Sequence, residues 1–213
     1  MMRSKLKKGL GRPRLVALLA AGAVVCAAAA LGARVSVQNP SLVRVLIETE
    51  LGEIEVELDA ANAPVTTANF LRYLDAGRYN GGGFNRSVRL DNQTRDDVLI
   101  EVIQAGPNPE FRRQGSPPIE LERTRDTGLK HLDGTLSMAR GGPDTASSSF
   151  FICINDQPSL DFGGDRNDDG QGFAAFGQVI RGMDVVRRIH QSPTGARENL
   201  TPSIVIARVS RIE

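Results

Sequence analysis

Few side chains in this sequence have the type and spacing to act as metal ligands, acids, bases or nucleophiles. Residues 165–170 read DRNDDG, the opening of a calcium loop in which alternate oxygen atoms wrap the ion. The closing position of such a loop falls on Phe176, which has no oxygen, so a solvated surface loop is expected and no metal. His131 precedes a turn (HLDG) and His190 ends a short helical stretch. Two histidines give almost no material for a zinc site or a triad, and packing or helix-end roles are expected of both. Cys26 lies inside an apolar span and Cys153 inside FFICI, so a disulfide is not expected and Cys153 reads as a small buried hydrophobe. The strings G-x-S-x-G, H-E-x-x-H, C-x-x-C and G-x-x-x-x-G-K are all missing, which removes the common hydrolase, metalloprotease, dithiol and phosphate-loop chemistries. No cofactor is expected.

The elements that would carry any site are mostly strands. Residues 43–49 (VRVLIET) and 53–58 (EIEVEL) flank Leu51 and Gly52. In the second run Ile54, Val56 and Leu58 alternate with glutamates, the period-two pattern of a half-buried strand, so the pair is expected to form a hairpin. Residues 63–76 carry at their start a proline, Pro64, suited to a first helical turn, place Val65, Ala68, Leu71 and Leu74 on one stripe, and stop at Gly77. Further short strands are expected at 84–88, 98–104, 134–139 and 149–154, a second helix at 183–190 and a closing strand at 204–212. That pattern is a β-barrel or sandwich with two helices.

Composition narrows the function classes. The chain has 213 residues, no tryptophan and 40% hydrophobic residues, enough for one domain with a core. Six of its 26 basic residues precede Leu15, leaving 20 against 25 acids, a net charge of −5 from Arg34 onward. Such a domain has no general field for phosphate backbones, and no nucleic acid partner is expected. After those six cations come 19 uncharged residues, 15–33. Positive charge followed by an apolar helix of roughly 20 residues is the physical signature of an export signal or a membrane anchor. Residues 1–33 are therefore read as signal or anchor, 34–42 as linker and 43–213 as the functional domain. That domain is expected outside the cytoplasm, held at the membrane if the first segment is not removed. Val25 before Cys26 argues against lipid attachment there.

Five strings in order, FNRSV (84–88), IEVIQAG (100–106), GTLSMARGGPDT (134–145), SSSFFICI (147–154) and GFAAFGQVIRGMDVV (172–186), resemble the cyclophilins. The resemblance spans residues 43–213 and implies a closed eight-stranded antiparallel β-barrel with two capping α-helices. It also implies cis/trans isomerisation of X-Pro bonds in proline-containing polypeptides, by a monomer. It makes Arg86 the catalytic arginine, Gln104 the residue that orients the substrate backbone and Phe151 the floor of the proline pocket. Val102, Ala139 and Leu160 match pocket or groove positions, Arg140 falls where an asparagine is usual and Phe173 where a histidine is common.

The departures bear on function. Glu101 stands where the family has a pocket phenylalanine, so its carboxylate is expected to make the pocket more polar, and either to orient Arg86 or to quench it. Ser149 replaces a usual glutamine, and Ser159 falls at the tryptophan of cyclosporin-sensitive members, so poor drug sensitivity is expected. About ten extra residues lie between Arg86 and Gln104, within RLDNQTRDDV, and FGGDRNDDGQ follows Asp161. Both are expected to be loops near the groove that reshape access to it. Two readings result: an isomerase, or, if Glu101 spoils the pocket, a non-catalytic module that holds proline-containing segments.

Overall fold

The computed structural model describes residues 41–213. The apolar run at 15–33, its proposed cleavage or anchoring, and Cys26 lie outside the described residues. The elements are β1 (Leu42–Thr49), β2 (Gly52–Asp59), α1 (Pro64–Asp75), β3 (Gly83–Val88), β4 (Val102–Gly106), α2 (Thr124–Thr127), β5 (Thr135–Met138), β6 (Phe150–Cys153), β7 (Ala174–Arg181), α3 (Met183–His190) and β8 (Asn199–Arg211). The strands form one closed barrel in the order β1-β2-β7-β5-β6-β4-β3-β8, every pairing antiparallel. Closure leaves no free edge to pair with another chain.

The first hairpin forms as its pattern requires. Thr49 faces Gly52 across the turn, where the Thr49 hydroxyl donates to the Gly52 carbonyl at 2.7 Å and accepts from the Leu51 N–H at 3.2 Å. Gly52 has φ +130°, a conformation that side chains disfavour. Ile54, Val56 and Leu58 are fully buried inside the barrel. At the start of α1 the Glu122 carboxylate accepts the N–H groups of Val65 and Thr66, at 3.0 and 2.8 Å, supplying the acceptors a helix start lacks.

The buried face of α1 differs from the expected stripe. Val65 and Ala68 are exposed, whereas Phe70, Leu71, Tyr73 and Leu74 are buried. The aromatic rings carry the largest apolar area and take the inward face. Phe70 stacks on Tyr79 with centroids 5.0 Å apart and meets Phe150 edge-on at 5.3 Å. α1 packs on β2, β7 and β8, and α3 on β2, β3 and β4. The short α2 is an addition to the two helices expected.

Three strands also depart from the sequence reading, β8 by beginning at Asn199 rather than at 204. β4 begins at Val102 rather than near residue 98, because the Gln93 side chain donates to the Ile100 carbonyl and accepts its N–H. The backbone groups at 100 are thus spent on the first insertion. β7 has Ala174, Ala175 and Phe176 buried in succession, so it gives no period-two signal.

Candidate active site

β6 reads FFIC and is buried at all four positions. Alternation sends Phe150 and Ile152 into the barrel core, so Phe151 and Cys153 face outward. Residues on the outside of a barrel are buried only if something covers them. Here a second apolar cluster, separate from the core, joins Phe151 and Cys153 to Val88, Ile100, Val102 and Leu160, with Ala139 and Phe173 packed against it.

Strand register then aligns the polar members with this cluster. Arg86 on β3 lies opposite Gln104 on β4, which lies opposite Phe151 on β6. A bulge between Phe84 and Arg86 adjusts the alternation, so that Phe84 points into the core while Arg86 joins the outer row. Arg86 Nη1 donates to Gln104 Oε1 at 3.0 Å, and its Nη2 lies 3.6 Å from Glu198 Oε1. Two planar contacts hold the guanidinium fork, as an ammonium could not be held. A cavity of about 470 Å³ opens above this row. Its wall includes Arg86, Val102, Gln104, Ala139, Arg140, Phe151, Leu160 and Phe173, eight of the nine residues singled out from the sequence.

Glu101 is the ninth, and it is not in the wall. Its carboxylate accepts a hydrogen bond from Asn155 Nδ2 at 3.0 Å, and Ile100 takes the apolar place in the cavity beside Val102. The expectation that Glu101 polarises the pocket or pairs with Arg86 is therefore corrected. The physical reason is the anchoring of Ile100 by Gln93, which seats an isoleucine in the apolar cluster and leaves the acid outside it. The acid beside Arg86 is Glu198, whose side chain is 12% exposed and also accepts from the Thr94 N–H at 3.2 Å. Nothing near Arg86 in the sequence announces Glu198. Only the pairing of β3 with β8, which sets Arg86 against Asn199, brings it there.

Phe151 is fixed from behind. The His131 ring stacks on it at 6.0 Å, and Phe173 meets it edge-on at 5.4 Å. His131 Nδ1 lies 2.8 Å from Asp161 Oδ1 and Nε2 lies 2.9 Å from Ser137 Oγ. Burial pushes the His131 pKa down, outweighing the raising effect of Asp161. Burial opposes ionisation of Asp161 as well, but hydrogen bonds from the His131 ring and backbone N–H, with the charge of Lys130, outweigh it and keep that carboxyl below its usual range. The neutral imidazole therefore donates from Nδ1 to Asp161 and accepts at Nε2 from the Ser137 hydroxyl. His131 packs and orients, as expected. Burial also drives the Cys153 thiol far above its ordinary pKa, leaving it an inert apolar neighbour.

Arg140 contributes its backbone to the cavity wall and sends its side chain elsewhere. Nε donates to the Gly172 carbonyl at 2.7 Å, and the two Nη atoms grip the Asp169 carboxylate at 2.7 and 2.8 Å, with the guanidinium 5.1 Å from the Phe173 ring. The Arg140 hydrogen bond, opposed by slight burial, lowers the Asp169 pKa to about 2. The DRNDDG string is thus an arginine staple: Asp169 holds Arg140 and Asp168 pairs with Arg95 at 3.2 Å. Among the described residues no group of three or more acids, histidines or cysteines could hold a metal ion.

A family model described as "Cyclophilin type peptidyl-prolyl cis-trans isomerase/CLD" matches residues 44–211, and the chain belongs to that family. Peptidyl-prolyl cis-trans isomerase A of Dickeya dadantii is 35% identical over 172 residues, covering 79% of this chain and 83% of that one. Peptidyl-prolyl cis-trans isomerase B of Escherichia coli is 33% identical over 152 residues, covering 71% and 86%. A crystal structure of a Cryptosporidium parvum cyclophilin-type isomerase has the same fold, with a TM-score of 0.65 at 23% identity, covering 81% of this chain and 98% of that one. By family, the protein is a peptidyl-prolyl cis-trans isomerase.

Proposed function

We propose that the protein accelerates rotation about X-Pro bonds of polypeptides outside the cytoplasm, with Arg86 as its catalytic residue. The reaction needs little conventional chemistry. Rotation is opposed by about 18–20 kcal/mol of C–N double-bond character, and at the twisted geometry the prolyl nitrogen loses conjugation and regains a localised lone pair. A donor fixed where that lone pair forms stabilises the twisted state more than either planar state. The guanidinium suits this role because it is a planar cationic donor held by Gln104 and Glu198 rather than reorganising during the step.

The apolar surface of Phe151, Val102, Ile100, Leu160 and Phe173 would take the pyrrolidine ring, while Gln104 would hold the substrate backbone. Ala139 and the Arg140 backbone border the groove on which the preceding residue would lie. All these groups come from one chain, which supports action as a monomer on proline-containing peptides. A Cryptosporidium parvum relative of the same fold has been crystallised in the presence of the dipeptide Ala-Pro. The observation that carries the reading is the register row Arg86–Gln104–Phe151 beneath the cavity. With Glu101 outside that cavity, the feature that favoured holding without turnover no longer weighs against catalysis.

Two measurements test the proposal. Exchange spectroscopy on a neutral X-Pro peptide with the purified full-length chain should show faster cis/trans exchange, largely abolished by Arg86→Ala; equal rates for the two proteins would remove Arg86 from catalysis. The extracytoplasmic part rests on the six cations ahead of the uncharged run 15–33. Fractionation with mass measurement should find the protein exported, either shortened by roughly 30 residues or full-length at the membrane. Recovery of the intact chain in the cytoplasmic fraction would overturn that part alone.

A further inference from the structure

We infer that Arg166, carried by the insertion after Asp161, selects X-Pro segments that bear an acidic side chain next to the proline. The inference rests on the isomerase site proposed above and concerns its substrate class. Among the described residues, three that bear a guanidinium, Arg86, Arg140 and Arg166, line the cavity, and no carboxylate does. Two of the three are matched: Arg86 by Glu198 and Arg140 by Asp169. Arg166 has no carboxylate partner among the described residues.

Its position is instead set by neutral acceptors. The Arg166 N–H donates to the Ser159 carbonyl at 3.2 Å, and Nη1 donates to Gln93 Oε1 at 3.1 Å and to the Val98 carbonyl. Gln93 and Val98 belong to the other insertion. Arg95 of that insertion reaches back to the Arg166 carbonyl at 2.6 Å and to Asp168. The two loops thus clasp each other and hold at the cavity one cation that is in no ion pair among the described residues. Burial, and then the nearby charges of Arg86 and Arg95, lower the Arg166 pKa, outweighing the raising effect of Glu198 and Asp97. Beside it Asn167 belongs to the same wall, and its Nδ2 is buried with no acceptor among the described residues. A cation with no paired carboxylate and an amide donor with no acceptor, side by side on a peptide groove, fit a carboxylate brought in by the substrate. A lysine at the same place would meet like charge.

The test uses full-length protein and blocked, otherwise neutral peptides in which Glu, Ala or Lys stands immediately before or immediately after the proline. At low salt, kcat/KM for the Glu peptide of one series should exceed that of the Lys peptide about tenfold, shrinking in 0.5 M NaCl. Arg166→Gln should bring the Glu/Lys ratio near one, Arg166→Lys should keep part of the preference, and Arg166→Glu should reverse it. A loop merely loosened by substitution would not reverse a ratio. No Glu preference in either series, or a preference that survives Arg166→Gln, overturns the inference. Calorimetric affinities for the same peptides read it without turnover. A protein that catalyses nothing yet binds Glu peptides in an Arg166-dependent way would sink the isomerase reading and leave this one standing.

Discussion

Replacing Arg86 by alanine separates catalysis from stability, because the same side chain serves both. Loss of one preorganised donor to a developing lone pair costs about 2.7–4 kcal/mol of transition-state stabilisation, a fall of about 10²–10³ in turnover. The folded state pays separately. Glu198 is 9% exposed overall and would keep only the Thr94 N–H after losing its countercharge. A stranded buried group costs about 1–3 kcal/mol, and because Arg86 is itself 34% exposed the lower half of that range applies. Adding Glu198→Gln removes the stranded charge, so the double variant should regain about 1 kcal/mol in urea unfolding relative to Arg86→Ala while staying as inactive. Exchange spectroscopy on a neutral X-Pro peptide reads the first quantity and urea midpoints the second. Activity within threefold of wild type for Arg86→Ala, or activity that returns with stability in the double variant, would show that Arg86 matters only as scaffolding.

Glu101→Phe should leave kcat/KM within about twofold and cost at most about 1 kcal/mol, since it removes one hydrogen bond to Asn155 outside the cavity; a large change either way would place position 101 back in the pocket. Stability should fall with acid through His131: its folded pKa is lowered, so the unfolded chain takes up the proton first, and stability complete above pH ~6.5 declines as pH drops toward the folded value. His131→Asn should therefore flatten the shift in urea midpoint between pH 7.5 and 5.5, and an undiminished slope would assign it to another group. Arg140→Ala should free the loop that Asp169 and Gly172 tie down, raising amide exchange across 163–172 with little change in β5; unchanged protection there would show that the clasp with Arg95 suffices.

The site was legible through the family strings rather than through local pattern. Arg86, Gln104 and Phe151 took their roles from that resemblance, while the hairpin alternation of β2 needed no tertiary information. What was not legible depends on contacts between segments far apart. Glu101 and Ile100 exchange places with respect to the pocket because Gln93, in the first insertion, captures the backbone at 100, and no local pattern encodes that. Glu198 reaches Arg86 only through barrel closure by β8. The inward face of α1 turned away from Val65 and Ala68 because apolar spacing was counted without weighting for size, and Phe70 and Tyr73 outweigh smaller residues.

The second insertion and the small residue at position 159 form one arrangement rather than two separate departures from the family pattern. The loop turns back directly over residue 159: the Arg166 N–H bonds to the Ser159 carbonyl, and a Cβ on Gly164 would lie 2.4 Å from that same oxygen. Backbone that close excludes any side chain at 164 and ties the insertion to the chain at 159. What the loop brings in return is polar: Arg166 and Asn167 enter the cavity wall, while Asp169 fastens the loop through Arg140. A wall of this composition gives up apolar contact area with the substrate and replaces it with charge. Discrimination among X-Pro segments at this site should therefore depend on ionic strength, because a guanidinium is screened by salt and an indole ring is not.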